Sequence, residues 1–200
     1  MTDTGLILGF DEVGRGPLAG PVVVACVLGN LKVTIAKDIV IRDSKKMTEK
    51  QKIRADIFIR NNFEFGIGQV KALEIDSNGI NNGVRKAAML ALVNLKSKTK
   101  INFDKVRMLI DGRDAWIVGA ETIIKGDNKV MEISMASIVA KVYRDRLMRD
   151  LAKKYANYGF DKHVGYGTAE HRQAIIKYGL VKGIHRKSFL HKTKLDAWQD

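Results

Sequence analysis

The sequence predicts an α/β layer fold, and two observations carry that reading. Short apolar runs suited to strands alternate along the chain with longer segments whose apolar residues recur every three or four positions, as helices require. No repeat, low-complexity tract or linker breaks the series. Residues 1–200 are therefore expected to form one domain with a basic helical region at its C-terminal end.

In chain order, residues 6–27, LILGFDEVGRGPLAGPVVVACV, predict an apolar strand, an acidic pair (Asp11, Glu12), a turn through Gly14, Arg15, Gly16 and Pro17, and a second apolar strand. Residues 31–42 carry Val33, Ile35, Ile39 and Ile41 in loose alternation, suited to a third strand or an edge. Thr48 is placed as an N-cap, with Glu49 in the first turn and Ile53, Ile57 and Phe58 forming a stripe that reaches Asn61. Phe63, Phe65 and Ile67 alternate with Glu64, Gly66 and Gly68, the pattern of a half-buried strand. Val84, Ala87, Ala88, Ala91, Leu92 and Leu95 predict a helix over 81–95, ended by the basic KSKTK at the negative end of its dipole. Residues 106–110 are short and nearly all apolar, as in a strand covered on both faces. Another short strand is expected over 121–124. The longest helix is expected over 133–155, with Ala136, Val139, Ala140, Val142, Tyr143, Leu147 and Leu151 facing the core. A shorter one over 168–178 is closed by Gly179.

Charge narrows the function. The 35 Lys and Arg against 22 Asp and Glu leave a net +13, which favours a polyanionic partner without specifying a fold. Single Cys26 excludes an intramolecular disulfide and a Cys-based zinc cluster, and fits a reducing cytoplasm. No charged-then-apolar leader opens the chain, and no apolar run approaches the ~20 residues of a bilayer span. The expectation is a cytoplasmic protein with no membrane association.

Asp11 and Glu12 stand out because burying an ionised carboxylate costs several kcal/mol or more without compensation. The glycines that follow strip the turn of side chains, so another backbone can come close. The pair therefore suggests an acidic metal site beside a wall that a polymer presses against. Oxygen-only donors suit Mg²⁺ or Mn²⁺.

DEVGRG at 11–16, followed by PLAGPVVVACV, resembles the signature of ribonuclease HII, the type 2 ribonuclease H. DSKKMTEKQ at 43–51, LIDG at 109–112, KGDNKVMEISMASIVAKVYRD at 125–145, GYGT at 165–168 and HRKSF at 185–189 agree with it in one consistent order. That resemblance implies a ribonuclease H-like fold, a mixed five-stranded sheet flanked by helices with helical C-terminal elements. It implies a catalytic and metal-holding set of Asp11, Glu12, Asp111 and Asp127, with two Mg²⁺ or Mn²⁺ ions about 3.5–4 Å apart when substrate is bound. Asp11 at a strand end, Asp111 after an apolar run and Asp127 after Ile123 and Ile124 add independent support, although Asp111-Gly112 and Gly126-Asp127 also suit ordinary turns. Glu12 joins Asp11 only if the strand bends or ends there, since neighbours on a strand face opposite ways. Asp145 is the rival fourth ligand; Lys141 and Arg149, four residues either side, make it a better ion-pair partner.

The resemblance also implies that Gly14, Arg15, Gly16 and Tyr166 recognise the ribonucleotide beside the scissile bond. Ser44, Lys45 and Lys46 are expected to hold the nucleic acid backbone, and Ser137 and Lys141 to face one phosphate. Arg186 belongs to a basic C-terminal region with Lys182, His185, Lys187, Lys192 and Lys194, expected to touch the duplex. His163, His171 and His191 receive no chemistry.

The activity implied is hydrolysis of RNA in RNA–DNA hybrids and incision 5′ of ribonucleotides embedded in duplex DNA, leaving 3′-hydroxyl and 5′-phosphate ends, by a monomer serving replication and ribonucleotide excision repair. Two other classes remain: a non-catalytic duplex binder, motivated by the charge, and a metal-dependent DNA nuclease. A nucleotide-binding glycine loop is rejected, because Gly14, Gly16 and Gly20 miss the G-x-G-x-x-G spacing and apolar Pro21–Val24 follow where a helix should begin.

Overall fold

The computed structural model describes residues 5–29 and 32–190. Strand β1 (Ile7–Val13) pairs antiparallel with β2 (Val22–Leu28), and β3 (Phe65–Val70) adds antiparallel to β2. On the other side β4 (Arg107–Asp111) runs parallel to β1, and β5 (Glu121–Ile123) parallel to β4. The result is the expected mixed five-stranded sheet, in the order β3-β2-β1-β4-β5.

Both faces of the sheet are covered, which is why β2 is apolar and buried at every position. Helix α1 (Glu49–Asn62) begins at Thr48 in a full capping box: Thr48 Oγ accepts from the Gln51 amide at 3.2 Å and Gln51 Oε1 from the Thr48 amide at 3.0 Å. After α2 (Ala72–Asn78), which the sequence reading did not anticipate, Gly79 at φ 79° turns the chain into α3 (Ile80–Lys96). Val84, Ala87, Ala88, Ala91 and Leu95 of α3 pack on Phe10, Val22, Val24 and Cys26. Against the opposite face lie α1 and α4 (Met131–Lys154), whose Ala136, Val139 and Ala140 meet Val23, Ala25 and Val27.

The third strand expected over 31–42 is not formed among its described residues, 32–42. β3 takes the free edge of β2, and Val33, Ile39 and Ile41 instead lie partly buried against the α1/α4 cluster. Three short C-terminal helices, α5 (Phe160–His163), α6 (Ala169–Tyr178) and α7 (Lys187–Leu190), complete the described chain. Tyr158 and Phe160 pack there with Ala19 and Met148, so this region closes over the turn that follows β1.

Helix α4 reaches β1 at Gly9. A Cβ on Gly9 would stand 2.7 Å from the Glu132 Cβ and closer still to the backbone of Glu132 and Ile133. Gly9→Ala is therefore expected to cost about 2–3 kcal/mol through overpacking. That corresponds to a fall in Tm of roughly 4–12 °C in thermal denaturation. An unchanged Tm would show that helix and strand do not meet backbone to backbone.

Candidate active site

β1 and β4 pair in parallel up to Phe10 and Ile110, so the next residues, Asp11 and Asp111, leave the pairing side by side. β5 pairs with β4 up to Asp111 and Ile123, and the chain then turns through Gly126–Asn128 to bring Asp127 to the same rim. The Gly126 amide donates to Asp111 Oδ1 at 2.7 Å, and a Cβ on Gly126 would press on Ile133 at 2.7 Å. Ser134 Oγ donates to the Asp127 carbonyl at 2.6 Å and Asn128 Nδ2 to Asp127 Oδ1 at 2.8 Å, fixing the turn against α4.

Asp11 is buried. Burial first, then the charges of Glu12 and Asp111, push its carboxyl well above the usual range, against hydrogen bonds from the Ser137 hydroxyl and the Glu12 amide. Burial also pushes Glu12 up to about 7, with Arg15 opposing and Asp111 adding to the shift. Asp127 is raised by burial and by Asp111 and Asp43. Burial works to lower Lys45, but Asp11, Asp127, Asp43 and Asp111 together raise it, so its ammonium sees the whole cluster.

β1 does not end at Asp11. It stays in register with β2 through Val13 opposite Val23, with no bulge. Asp11 lies opposite Ala25 and Glu12 opposite Val24, yet the Glu12 carboxylate is close enough for its charge to raise Asp11 and for Asp111 to raise Glu12 in turn. Among the described residues no three acidic, His or Cys side chains are already arranged to hold a metal ion. The four carboxylates are electrostatic neighbours at one rim rather than a closed cage.

The donor set nevertheless fits a hard divalent cation. Its oxygens are carboxylate, and those of Asp11, Glu12 and Asp127 are raised in proton affinity by burial and by neighbouring carboxylates; a cation at the rim would relieve that repulsion by replacing protons. Asp145 stays out of the cluster, paired to Lys141 at 2.8 Å, while Arg149 pairs with Glu49.

The 43–46 segment docks beside the acids. Ser44 Oγ lies 2.9 Å from Ser137 Oγ in a buried contact, Asp43 Oδ1 accepts from the Lys45 amide at 2.9 Å, and Lys46 Nζ donates to Asn128 Oδ1 at 3.1 Å. Ser137 thus contacts Ser44 and Asp11, and one of the three Lys141 donors is taken by Asp145. Asp43 and Asn128 were missed as members of the site, although both lie in the matched motifs.

The turn after Glu12 is held from behind. Gly14 sits at φ 92°, and a Cβ there would stand 2.7 Å from the Pro21 carbonyl oxygen. Arg186, expected on the duplex, is 0% exposed. Its Nη2 donates to the Gly14 and Gly20 carbonyls at 2.7 and 2.8 Å, Nε to Gly20 at 3.0 Å and Nη1 to Arg15 at 3.1 Å. Arg144, equally buried, donates to Pro21, Val164 and Ala19. Two buried guanidiniums satisfied by main-chain carbonyls shape the turn, so Arg186 positions it and makes no duplex contact. The carbonyls of Gly14 and Arg15 point inward to Arg186. Arg15 Nη2 reaches Asn81 Oδ1 at 2.7 Å. Tyr166 is 43% exposed, with ring Cε1 3.9 Å from where a Gly16 Cβ would be. His185, expected in the basic region, is buried; Lys192, Lys194 and His191 lie outside the described residues.

Comparison with known proteins agrees with this geometry. Residues 8–194 match the family model described as Ribonuclease HII. The ribonuclease HII of Fusobacterium nucleatum subsp. nucleatum is 45% identical over 189 residues, covering 93% of this chain and 86% of the relative. That of Acetivibrio thermocellus is 45% identical over 189 residues, covering 92% of this chain and 69% of the relative. In fold, the chain is similar to the crystal structure of ribonuclease H2 from Pyrococcus horikoshii OT3, with TM-score 0.75 and 24% identity over 98% of this chain and 100% of that one. It is also similar to Bst ribonuclease HIII solved in complex with Mn²⁺, with TM-score 0.68 and 18% identity over 96% of this chain and 69% of that one. A strand order that gathers Asp11, Asp111 and Asp127 at one rim, together with this sequence match, places the chain in the ribonuclease HII family of hydrolytic endoribonucleases that act on RNA–DNA hybrids.

Proposed function

We propose that this endoribonuclease of RNA–DNA hybrids also incises 5′ of single ribonucleotides embedded in duplex DNA, using two divalent ions and leaving 3′-hydroxyl and 5′-phosphate ends. The observation that carries the reading is the corner directly after the acidic pair: Gly16 lies against the exposed Tyr166 ring, four residues beyond Glu12. Only the 2′-hydroxyl separates RNA from DNA at such a corner. The amides of Gly14, Arg15 and Gly16 donate to it, the Gly16 carbonyl accepts from it, and the Tyr166 ring packs on the neighbouring sugar. Lys45 and Lys46 hold the phosphate backbone as point charges, and Ser44 anchors them through Ser137.

Asp11, Glu12, Asp111 and Asp127 are the groups that would hold Mg²⁺ or Mn²⁺, and the bound ions would supply an activated water and neutralise charge on the leaving oxygen. Mn²⁺ in the distantly related Bst protein supports that choice. Asp11 is oriented by hydrogen bonds from Ser137 and the Glu12 amide. No helix among the described residues is long and apolar enough to cross a membrane. A monomeric, one-domain cytoplasmic enzyme working in replication and ribonucleotide repair completes the proposal.

The test is cleavage-site mapping on a labelled duplex carrying one ribonucleotide, beside a uniform hybrid and an all-DNA duplex, with Mg²⁺ or with EDTA. One cut 5′ of the ribonucleotide, absent in EDTA and absent from DNA, is expected. Binding without cutting would reveal a mere duplex binder, and cleavage of DNA would remove the 2′-hydroxyl reading. Tyr166→Ala is expected to lose about 10- to 100-fold on the single-ribonucleotide duplex, the scale of losing a substrate-positioning contact. Unchanged cleavage of that duplex would take Tyr166 out of the recognition corner.

A further inference from the structure

Three histidines far apart in the sequence, His163, His171 and His185, meet beneath Tyr166. They are 7%, 0% and 2% exposed, and the His163 and His171 rings stack at 4.4 Å between centroids. Their hydrogen bonds fix one tautomer on each ring. The Val181 amide donates to His185 Nδ1 at 2.8 Å, so the His185 proton sits on Nε2, which lies 3.2 Å from His171 Nε2. His171 Nε2 must then accept, which places its own proton on Nδ1, 2.9 Å from the Tyr166 carbonyl oxygen. The Gly165 amide donates to His163 Nδ1 at 3.2 Å, leaving Nε2–H to donate to the Tyr158 carbonyl at 2.7 Å.

The polarity therefore runs one way, from the Val181 amide through His185 and His171 to the main chain of Tyr166. Burial pushes both His171 and His185 down to about 4, so the chain is neutral and intact at ordinary pH. Tyr166 is held from three sides: its carbonyl also accepts from the Thr168 amide at 2.9 Å, and its own amide donates to the His163 carbonyl at 2.9 Å. The preceding Gly165 carbonyl accepts from the Leu18 and Ala19 amides, which ties this frame to the turn after β1. Only the ring of Tyr166 is left outside. An apolar side chain at 171 would fill the volume but leave the Tyr166 carbonyl with one donor fewer and His185 without its acceptor.

We propose that His171, backed by His185, is a positioning residue that sets the Tyr166 ring against Gly16 and thereby governs how strictly the enzyme requires a ribose at the cut. This rests on the reading of Tyr166 as the ribose-side contact. The histidine array touches no proposed metal ligand, so it acts on selectivity rather than on the chemical step.

Two conservative variants separate orientation from bulk. In His171→Asn the amide nitrogen falls near Nδ1 and keeps the donor to Tyr166; in His171→Gln the amide falls near Nε2 and loses it. In the full chain with Mg²⁺, kcat/KM is measured on a single-ribonucleotide duplex and on a uniform RNA–DNA hybrid. Taking the ratio within one preparation cancels any unfolded fraction. The ratio is expected to fall about tenfold for His171→Gln and to stay within about twofold of the parent for His171→Asn. If His171→Gln yields no folded protein, His171→Leu, which fills the volume without a donor to the Tyr166 carbonyl, is expected to lower the same ratio. Equal ratios in all variants, or equal falls in Asn and Gln, would overturn the proposal. Tyr166→Ala, run in parallel, locates a failure: if it leaves the ratio unchanged the ribose-contact reading itself falls, whereas if it shifts the ratio and the His171 variants do not, only the positioning role falls.

Discussion

Asp11→Asn is expected to remove hybrid cleavage by at least about a thousandfold while making the metal-free protein more stable. Loss of activity follows from the loss of a charged donor at the centre of the acidic rim, between Glu12 and Asp111. The stability gain follows from linkage. Folding raises the Asp11 carboxyl well above its unfolded value of 3.8, so its stabilising contribution is complete below about pH 4 and lost as pH rises through the folded value. Glu12 adds the same trend between its ordinary 4.5 and about 7. Metal-free protein should therefore melt at progressively lower temperature from about pH 4 to pH 7, less steeply in Asp11→Asn. Mg²⁺ or Mn²⁺ at neutral pH should restore the parent Tm and affect the variant far less. Asn still offers an oxygen to the Glu12 amide and a donor to Ser137, so the local frame persists. Full turnover by the variant, or a metal-free Tm that rises towards neutrality, would defeat the assignment.

Arg186→Leu is expected to cost about 4 kcal/mol, because the carbonyls of Gly14, Arg15 and Gly20 would lose their donors in a site without water access. At this chain length that is a fall in Tm of roughly 8–16 °C. Burial, with Arg144 alongside, pushes Arg186 down to about 9, yet it stays cationic at neutral pH and the carbonyl dipoles hold it. Arg186→Lys should recover only a fraction, since one ammonium cannot reach carbonyls spread across the turn. Because the side chain underlies the turn, the salt dependence of hybrid binding should not change in whatever protein remains folded. A normal Tm with a reduced salt slope would return Arg186 to the duplex surface.

These two residues mark what sequence alone decided. Strands β1, β2, β3, β4 and β5 and helices α1, α3, α4 and α6 are legible because apolar period and caps act within a few residues, as Thr48 and Gln51 do for α1. The family resemblance carried by the motifs named Asp11, Glu12, Asp111 and Asp127 as one set, and the strand order brings Asp11 and Asp111 to neighbouring strand ends. Tertiary structure decided the rest. Residues 32–42 have strand-like alternation, but β3 takes the edge they would need. β1 keeps pairing with β2 beyond the acids, so Asp11 and Glu12 are successive residues of one unbroken strand, a matter of register that the local sequence does not contain. Arg186 reads as one more surface cation until the fold brings it carbonyls more than 160 residues distant, and His163, His171 and His185 read as scattered until the same closure brings their rings together. Periodicity reports what a residue does to its neighbours in the chain; whether a buried charge or imidazole is tolerable depends on partners that only folding delivers.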